Sequence, residues 1–126
     1  MLNKFFTIGR LCRSNELKAM SNGTFVLEND LAFDSLSKDK QGKYETNFIR
    51  VVFYGKTAES VAKYTNKGSL IEVEGWLKQN NRIGKDGKKV SYYSLVATTC
   101  TFLGKKDDIA VDENSDIPVL DEDLPF

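Results

Sequence analysis

The ten-residue stretch from Thr46 to Gly55 constrains the fold of this chain more than any other. Side chains in a β-strand alternate between two faces with a period of two. The face that suits a hydrophobic core carries Asn47, Ile49, Val51 and Phe53, and the opposite face carries Thr46, Phe48, Arg50, Val52 and Tyr54. An arginine between two aromatics fits a half-buried strand. It also fits a surface on which nucleobases stack while the arginine meets phosphates.

Charge is distributed unevenly along the 126 residues, although the formal net charge is zero. Residues 1–106 contain all 18 basic residues and 10 of the 18 acidic residues, which gives +8. Residues 107–126 contain the other 8 acidic residues and no basic residue, which gives −8. A basic body favours a polyanionic partner, and an acidic tail is a candidate interaction segment.

The composition disfavours metal, cofactor and membrane functions. Cys12 and Cys100 are too few and too far apart for a metal site, and the chain has no histidine. We therefore expect neither a metal nor a cofactor. No signal peptide and no membrane-length apolar run is present in the sequence. We expect a cytoplasmic protein with free thiols and no membrane partner.

The patterning along the chain predicts five strands and one short helix. Two strands precede the central one, and a helix and two further strands follow it: Asn3–Leu11, Thr24–Phe33, then a Thr57–Thr65 helix, Leu70–Arg82 and Val90–Ala97. Gly9 predicts a bulge or bend in the first strand, and Asn29 interrupts the apolar face of the second without an evident reason. Residues 34–43 have the composition of a loop.

The order of these elements is that of an OB-fold, a small five-stranded Greek-key barrel with a helix between its third and fourth strands. Thr57 is the expected N-cap of the helix, and Ala58, Val61 and Ala62 would close one end of the barrel. The glycine-rich segment 84–89 is expected to be a hairpin tip. The barrel is expected over residues 1–104, and a disordered acidic tail over residues 105–126.

Trp76, the single tryptophan, shares its predicted strand face with charged residues. Partial burial, a subunit contact or an exposed stacking surface would each explain that position. With Phe48 and Tyr54 it would form an aromatic track, flanked by cations at Lys56, Lys78, Arg82, Lys88 and Lys89. Stacking contributes about 1–3 kcal/mol per base, and a duplex hides the base faces, so such a track suits single strands. Tyr92 and Tyr93 point to opposite faces, and one of them is expected to be interior.

The last six residues combine acidic and apolar side chains: Asp121, Glu122, Asp123, Leu124, Pro125 and Phe126. An apolar tip behind three acids suits a partner pocket that buries Phe126 beside a basic residue. A nuclease that holds metal with Asp121, Glu122 and Asp123 is disfavoured, because a flexible tail cannot fix two metals. We therefore expect no enzymatic activity.

Several segments resemble the bacterial and phage single-stranded DNA-binding proteins, the SSB family. They are Leu2–Lys4, Ile8–Leu11, Phe48–Lys56, Lys67–Ser69, Glu74–Gly75, Gly84–Gly87, Phe102–Leu103 and the acidic tip. The resemblance implies sequence-independent binding of single-stranded DNA in replication, recombination and repair. It also implies partner recruitment through the tip and a homotetrameric assembly. An RNA-binding OB-fold module is the alternative.

Carried over by position, the resemblance implies stacking by Phe48 and Tyr54 and phosphate contacts by Arg50 and Lys56. Two family aromatics have no counterpart, since their positions fall at Leu36 or Ser37 and at Arg82. The strand path would therefore differ from the family's pattern in those two regions, with Trp76 as a partial replacement. The family's long linker is missing, and linker and tip together are reduced to about twenty residues rich in acids, as in compact phage versions.

Overall fold

Six β-strands and one helix form residues 1–103, the part of the chain that the computed structural model describes. They are β1 (Phe5–Leu11), β2 (Leu17–Ala19), β3 (Phe25–Lys38), β4 (Tyr44–Tyr54), α1 (Gly55–Tyr64), β5 (Leu70–Ile83) and β6 (Lys89–Phe102). The predicted tail and its tip lie outside the described residues.

The five long strands form a closed barrel. β1 pairs antiparallel with β5, β5 with β6, and β3 with β4, while β4 and β6 run parallel. Arg10 opposite Ala32 and Leu11 opposite Leu31 join β1 to β3 and complete the circuit. This is the OB-fold that the element order predicts. The three-residue β2, which pairs with the start of β3, was not predicted.

The core follows from the alternation of the strands. The side chains that are fully buried inside the barrel come from every long strand and from the helix: Leu11, Leu27, Leu31, Val51, Phe53, Ala58, Val61, Ile71, Val73 and Leu95. The apolar face predicted for the central strand is thus confirmed at Val51 and Phe53. Ala58 and Val61 bring α1 against the barrel, as expected.

The N-cap prediction for the helix is wrong. α1 begins at Gly55, directly after β4, and its N-cap Tyr54 makes no side-chain capping hydrogen bond. Thr57 therefore lies inside the first turn. At the other end, the Thr65 hydroxyl donates to the Val61 carbonyl over 2.6 Å. The chain then turns through Gly68, whose φ of 90° favours glycine.

Asn29 interrupts the apolar face of β3 because its amide organises a loop. Its side chain is fully buried. Its Oδ1 accepts a hydrogen bond from the N–H of Arg13 at 3.1 Å, and its Nδ2 donates one to the Arg13 carbonyl at 2.9 Å. Its Nδ2 also donates to Oδ1 of Asn15. The Asn15 amide in turn donates to the carbonyls of Val61 and Thr65. One buried amide thus ties residues 13–15 to the sheet and, through Asn15, to the end of α1.

The glycine in β1 serves close packing and not a bulge. β1 keeps continuous register with β5 through Gly9, so the bulge that the sequence offered there, as one of two alternatives, is wrong. A Cβ at Gly9 would lie 2.4 Å from the Ala32 carbonyl oxygen, where β1 approaches β3. Register shifts occur instead in β5, between Glu74 and Gly75, and in β3, between Asp34 and Lys38.

The β3–β4 hairpin extends further than the sequence indicates, whereas the predicted β5–β6 hairpin differs by only one residue on each side of its tip. Residues 34–38 continue β3, so the predicted loop over 34–43 is wrong for half of its length. The turn is confined to residues 39–43, where the Asp39 carboxylate accepts the N–H groups of Gln41 and Lys43. The exposed end of β3 has no apolar face, so periodicity gave no indication of a strand. The predicted hairpin tip is confirmed by the 2.8 Å bond from Gly84 N–H to the Lys88 carbonyl.

Candidate nucleic-acid interface

The outer face of β4, β6 and β5 brings most of the predicted binding residues together. Residues opposite each other in neighbouring strands project to the same side of a sheet. Ser94 of β6 lies between Arg50 and Lys78, and Val96 lies between Val52 and Trp76. Because side chains alternate along each strand, three more of the predicted residues lie on this outer face: Phe48 and Tyr54 on β4 and Arg82 on β5.

The aromatic side chains of this outer face are open to solvent. Phe48 is 68% exposed, Tyr54 41% and Trp76 39%. Trp76 therefore combines the partial burial and the exposed surface that the sequence offered as alternatives. Open π-faces distributed over adjacent strands are the arrangement on which successive bases stack.

Tyr92 is an aromatic of this face that the sequence reasoning did not assign. It lies on β6 opposite Asn80 and is 45% exposed. Tyr93, on the other side of the strand, is exposed as well, so the expectation that one of the pair is interior is wrong. Both lie where the β5–β6 hairpin extends beyond the core. The alternation in β6 placed Tyr92 with Ser94 and Val96, but it could not show which face is outward.

The predicted cations are divided among three places. Lys78 and Arg82 lie on the outer face, exposed, with Arg82 opposite Val90 near the end of the hairpin. Lys88 lies in the hairpin turn, where its N–H donates to the Asp86 carboxylate. Lys56 lies off this face, in the first turn of α1. The structure therefore places positive charge around the aromatic face and not in one row.

Arg50 is already engaged by two carboxylates. Its Nε donates to Asp30 and its Nη1 to Glu28, each over 3.1 Å. The hydrogen bond to Asp30, reinforced by the negative charge of both carboxylates, raises the pKa of Arg50 above its ordinary value. The guanidinium stays charged at any working pH. A phosphate that approaches it meets two competing acids.

Metal ligands and the Cys100 thiol are the remaining features of residues 1–103 that bear on reactivity. No group of three or more potential metal ligands occurs among residues 1–103. Burial, assisted by the charge of Glu72, raises the pKa of the Cys100 thiol to about 12. This thiol is therefore protonated at neutral pH, and a protonated thiol is a poor nucleophile. Within the described part of the chain, no helix is long and apolar enough to span a membrane.

Comparison with known proteins identifies the family. A sequence model of the single-strand binding protein family matches residues 2–103. The chain belongs to this family.

Two relatives from Staphylococcus aureus illustrate the similarity to members of the single-strand binding protein family. The "Single-stranded DNA-binding protein 1" of strain MSSA476 is 38% identical over 106 residues, which cover 84% of this chain and 68% of the relative. The "Single-stranded DNA-binding protein 2" of strain Mu50 is 40% identical over 106 residues, covering 84% of this chain and 75% of the relative.

A solved structure shows the same fold in a family member. The chain is similar to "Plasmodium falciparum SSB complex with ssDNA", with a TM-score of 0.74 and 24% identity. The similarity covers 82% of this chain and 96% of that one. This likeness supports the OB-fold assignment of the barrel.

Proposed function

We propose that this chain binds single-stranded DNA without sequence preference, through the outer face of β4, β5 and β6. The observation that carries the proposal is the set of exposed aromatics Phe48, Tyr54, Trp76 and Tyr92 on one face of adjacent strands. Membership of the single-strand binding protein family and relatives named as single-stranded DNA-binding proteins support it.

The two kinds of side chain divide the work of binding. Bases stack on the aromatics, each worth about 1–3 kcal/mol, and any base can do so because every base has a π-face. Phosphates contact the cations that surround the face: Arg50, Lys56, Lys78, Arg82 and Lys88. That contact releases counterions and makes binding salt-dependent. Duplex DNA is disfavoured because its base faces are already stacked.

The proposal is tested by titrating the protein with oligo(dT) and monitoring binding by the fluorescence of Trp76. Phe48→Ala and Tyr54→Ala are each expected to weaken binding by about 1–3 kcal/mol. Tyr93→Ala is the matched control, since it removes an equally exposed ring from the opposite face of β6. Wild-type affinity in a folded Phe48/Tyr54 double variant would exclude stacking on these two residues.

Two further experiments, a binding comparison and a cleavage assay, separate this function from its alternatives. An RNA-binding module would bind oligo(U) at least as tightly as oligo(dT) of equal length, whereas we expect a preference for DNA. A nuclease would cleave the DNA when Mg²⁺ is added, whereas we expect the DNA to remain intact. The protein would then act by coating and protecting single strands during replication, recombination and repair.

We extend the proposal to a partner-binding role for the acidic tip. Its support is the sequence Asp121, Glu122, Asp123, Leu124, Pro125 and Phe126, which joins three acids to an apolar end. Phe126→Ala is expected to abolish the pull-down of host replication or repair proteins and to leave DNA affinity unchanged. Retention of every partner by that variant would remove the recruiting role.

A homo-oligomer, a tetramer by analogy with the family, completes the proposal. The family resemblance is its support. Sedimentation velocity of the full chain measures the assembly directly, and a monomer at micromolar concentration would contradict it.

A further inference from the structure

A chain of alternating charges runs across the edge of the outer face. The Asp30 carboxylate joins two arginines: Oδ1 accepts Nε of Arg50 at 3.1 Å, and Oδ2 lies 3.3 Å from Nε of Arg13. Glu28 completes the series at Nη1 of Arg50. The single carboxylate of Asp30 therefore holds both guanidiniums beside one another.

The backbone of Arg13 is fixed independently of its side chain. The buried Asn29 amide binds both the N–H and the carbonyl of Arg13, and the N–H of Cys12 donates to the Asp30 carbonyl over 2.9 Å. Half of the Arg13 side chain remains exposed. Its Nε is paired with Asp30, and within residues 1–103 its two Nη groups donate no hydrogen bond, so those groups are available to an anion. Arg13 is thus a preorganised cation with unused donors.

A cleft lies between the two arginines. It has a volume of about 120 Å³ and is lined by Arg13, Glu16, Lys18, Val26, Glu28 and Arg50. Val26 lies opposite Tyr54 across the β3–β4 pair, so the cleft opens beside the aromatic face. Three cations and two acids line it, and both arginines also pair with a third acid, Asp30. Adding a phosphodiester, which has one negative charge, is favoured because guanidinium N–H groups match phosphate oxygens.

We propose that this cleft is a phosphate subsite, in which one phosphodiester of the strand stacked on Tyr54 lies between Arg13 and Arg50. Arg13 is then a further binding residue, and Asp30 is the positioning residue that aims both guanidiniums. The inference rests on the proposed function, and it extends the path of the strand from β4 across β3 toward the loop that Asn29 anchors.

Arg13→Gln tests the subsite. Lys63→Gln is the control, because it also removes one positive charge, but from the exposed side of α1. Oligo(dT) affinity is measured over a series of salt concentrations. Arg13→Gln is expected to weaken binding about tenfold, the low end for one hydrogen bond to a charged group. It is also expected to reduce the salt slope by about 0.7, the value for one phosphate on a single strand. Lys63→Gln is expected to leave the slope unchanged.

Combination with Arg50→Gln tests whether the two arginines share one phosphate. If they do, the double variant loses less affinity than the sum of the two single losses, because the second substitution acts on a contact already weakened. Additive losses overturn the shared subsite. If Arg13→Gln lowers the melting temperature, Arg13→Met, which retains an apolar stem, is judged by the same criteria.

The outcomes separate this inference from the function on which it rests. A wild-type chain that does not bind oligo(dT) overturns both. The subsite alone is overturned if the wild type binds oligo(dT) but Arg13→Gln binds no more weakly than Lys63→Gln. An unchanged salt slope in Arg13→Gln overturns it as well.

Discussion

At the scale of single residues, acids on the proposed binding face are expected to set the strength with which a phosphate can be held. Glu28 accepts a hydrogen bond from Arg50 and is half-exposed, so we expect it to compete with DNA for the same guanidinium. Such exposed ion pairs are weak, worth about 0.2–1 kcal/mol. The competition is therefore modest, and a phosphate with several cations nearby can displace the acid.

Glu28→Gln is accordingly expected to tighten oligo(dT) binding, by roughly twofold to fivefold at low salt. The substitution removes one negative charge that repels phosphate and frees one donor of Arg50. Fluorescence titration measures the change, and Glu59→Gln, which removes an exposed acid from α1, is the control. Equal affinities of the two variants would mean that Glu28 does not compete with DNA.

Asn29 shows which residue roles a sequence conceals. In the sequence it is an unexplained polar residue on an apolar face. In the fold it satisfies both backbone groups of Arg13 and contacts Asn15. The partners lie in a loop whose path no local pattern specifies, so the role became visible only in three dimensions.

Asn29→Ala is expected to lower the free energy of unfolding by about 2–3 kcal/mol, because it leaves buried polar groups without partners. Urea denaturation measures the loss. Asn22→Ala is the matched control: Asn22 is exposed and accepts only the N–H of Thr24, so a cost below about 1 kcal/mol is expected. A similar loss in both variants would contradict a special role for the buried amide.

At the scale of elements, apolar alternation made the central strand and the helix predictable. It failed where strands leave the core. Residues 34–38, which the sequence predicted to be a loop, have mostly polar side chains, so only their pairing with β4 identifies them as part of a strand. β2 was missed for the same reason, since three exposed residues offer no periodicity.

The register shift in β5 is an element-scale feature with a direct test. A Cβ at Gly75 would lie 1.9 Å from the Val96 carbonyl oxygen, which is backbone and cannot rotate away. Gly75→Ala is therefore expected to cost about 1–3 kcal/mol in unfolding free energy. Because Trp76 follows directly, its emission maximum should also shift.

The control for this substitution is Gly84→Ala at the hairpin tip. There the nearest atom to an added Cβ is Oδ1 of Asp86, at 3.1 Å; it accepts the N–H of Lys88, but it belongs to a side chain that can shift by a few tenths of an ångström. A change within about 0.5 kcal/mol is expected. If Gly75→Ala is equally mild, close packing does not explain the glycine.

At the scale of the whole molecule, the order of the elements predicted the barrel although no local pattern predicts its closure. The parallel contact of β4 with β6 and the short β1–β3 seam join segments far apart in sequence. They follow from the OB-fold layout once five strands and a helix are placed in order. The proposed binding face was predictable in part, because alternation assigned Phe48 and Tyr54 to it but not Tyr92, and no pattern pointed to Arg13.

The charge asymmetry of the chain makes a prediction at the same scale. Residues 107–126 carry −8 and residues 1–106 carry +8, so the acidic segment is expected to compete with DNA for the basic surface. Deleting residues 107–126 should therefore tighten oligo(dT) binding. The effect should be larger at low salt, because screening acts over about 10 Å at 0.1 M.

A full-length variant with the eight acids of that segment replaced by asparagine and glutamine separates charge from bulk. If charge is responsible, this variant binds as tightly as the truncated chain, and both approach wild-type affinity as the salt concentration rises. Tighter binding by the truncated chain alone would assign the effect to excluded volume. Equal affinity of all three proteins at low salt would mean that the acidic segment does not reach the binding face.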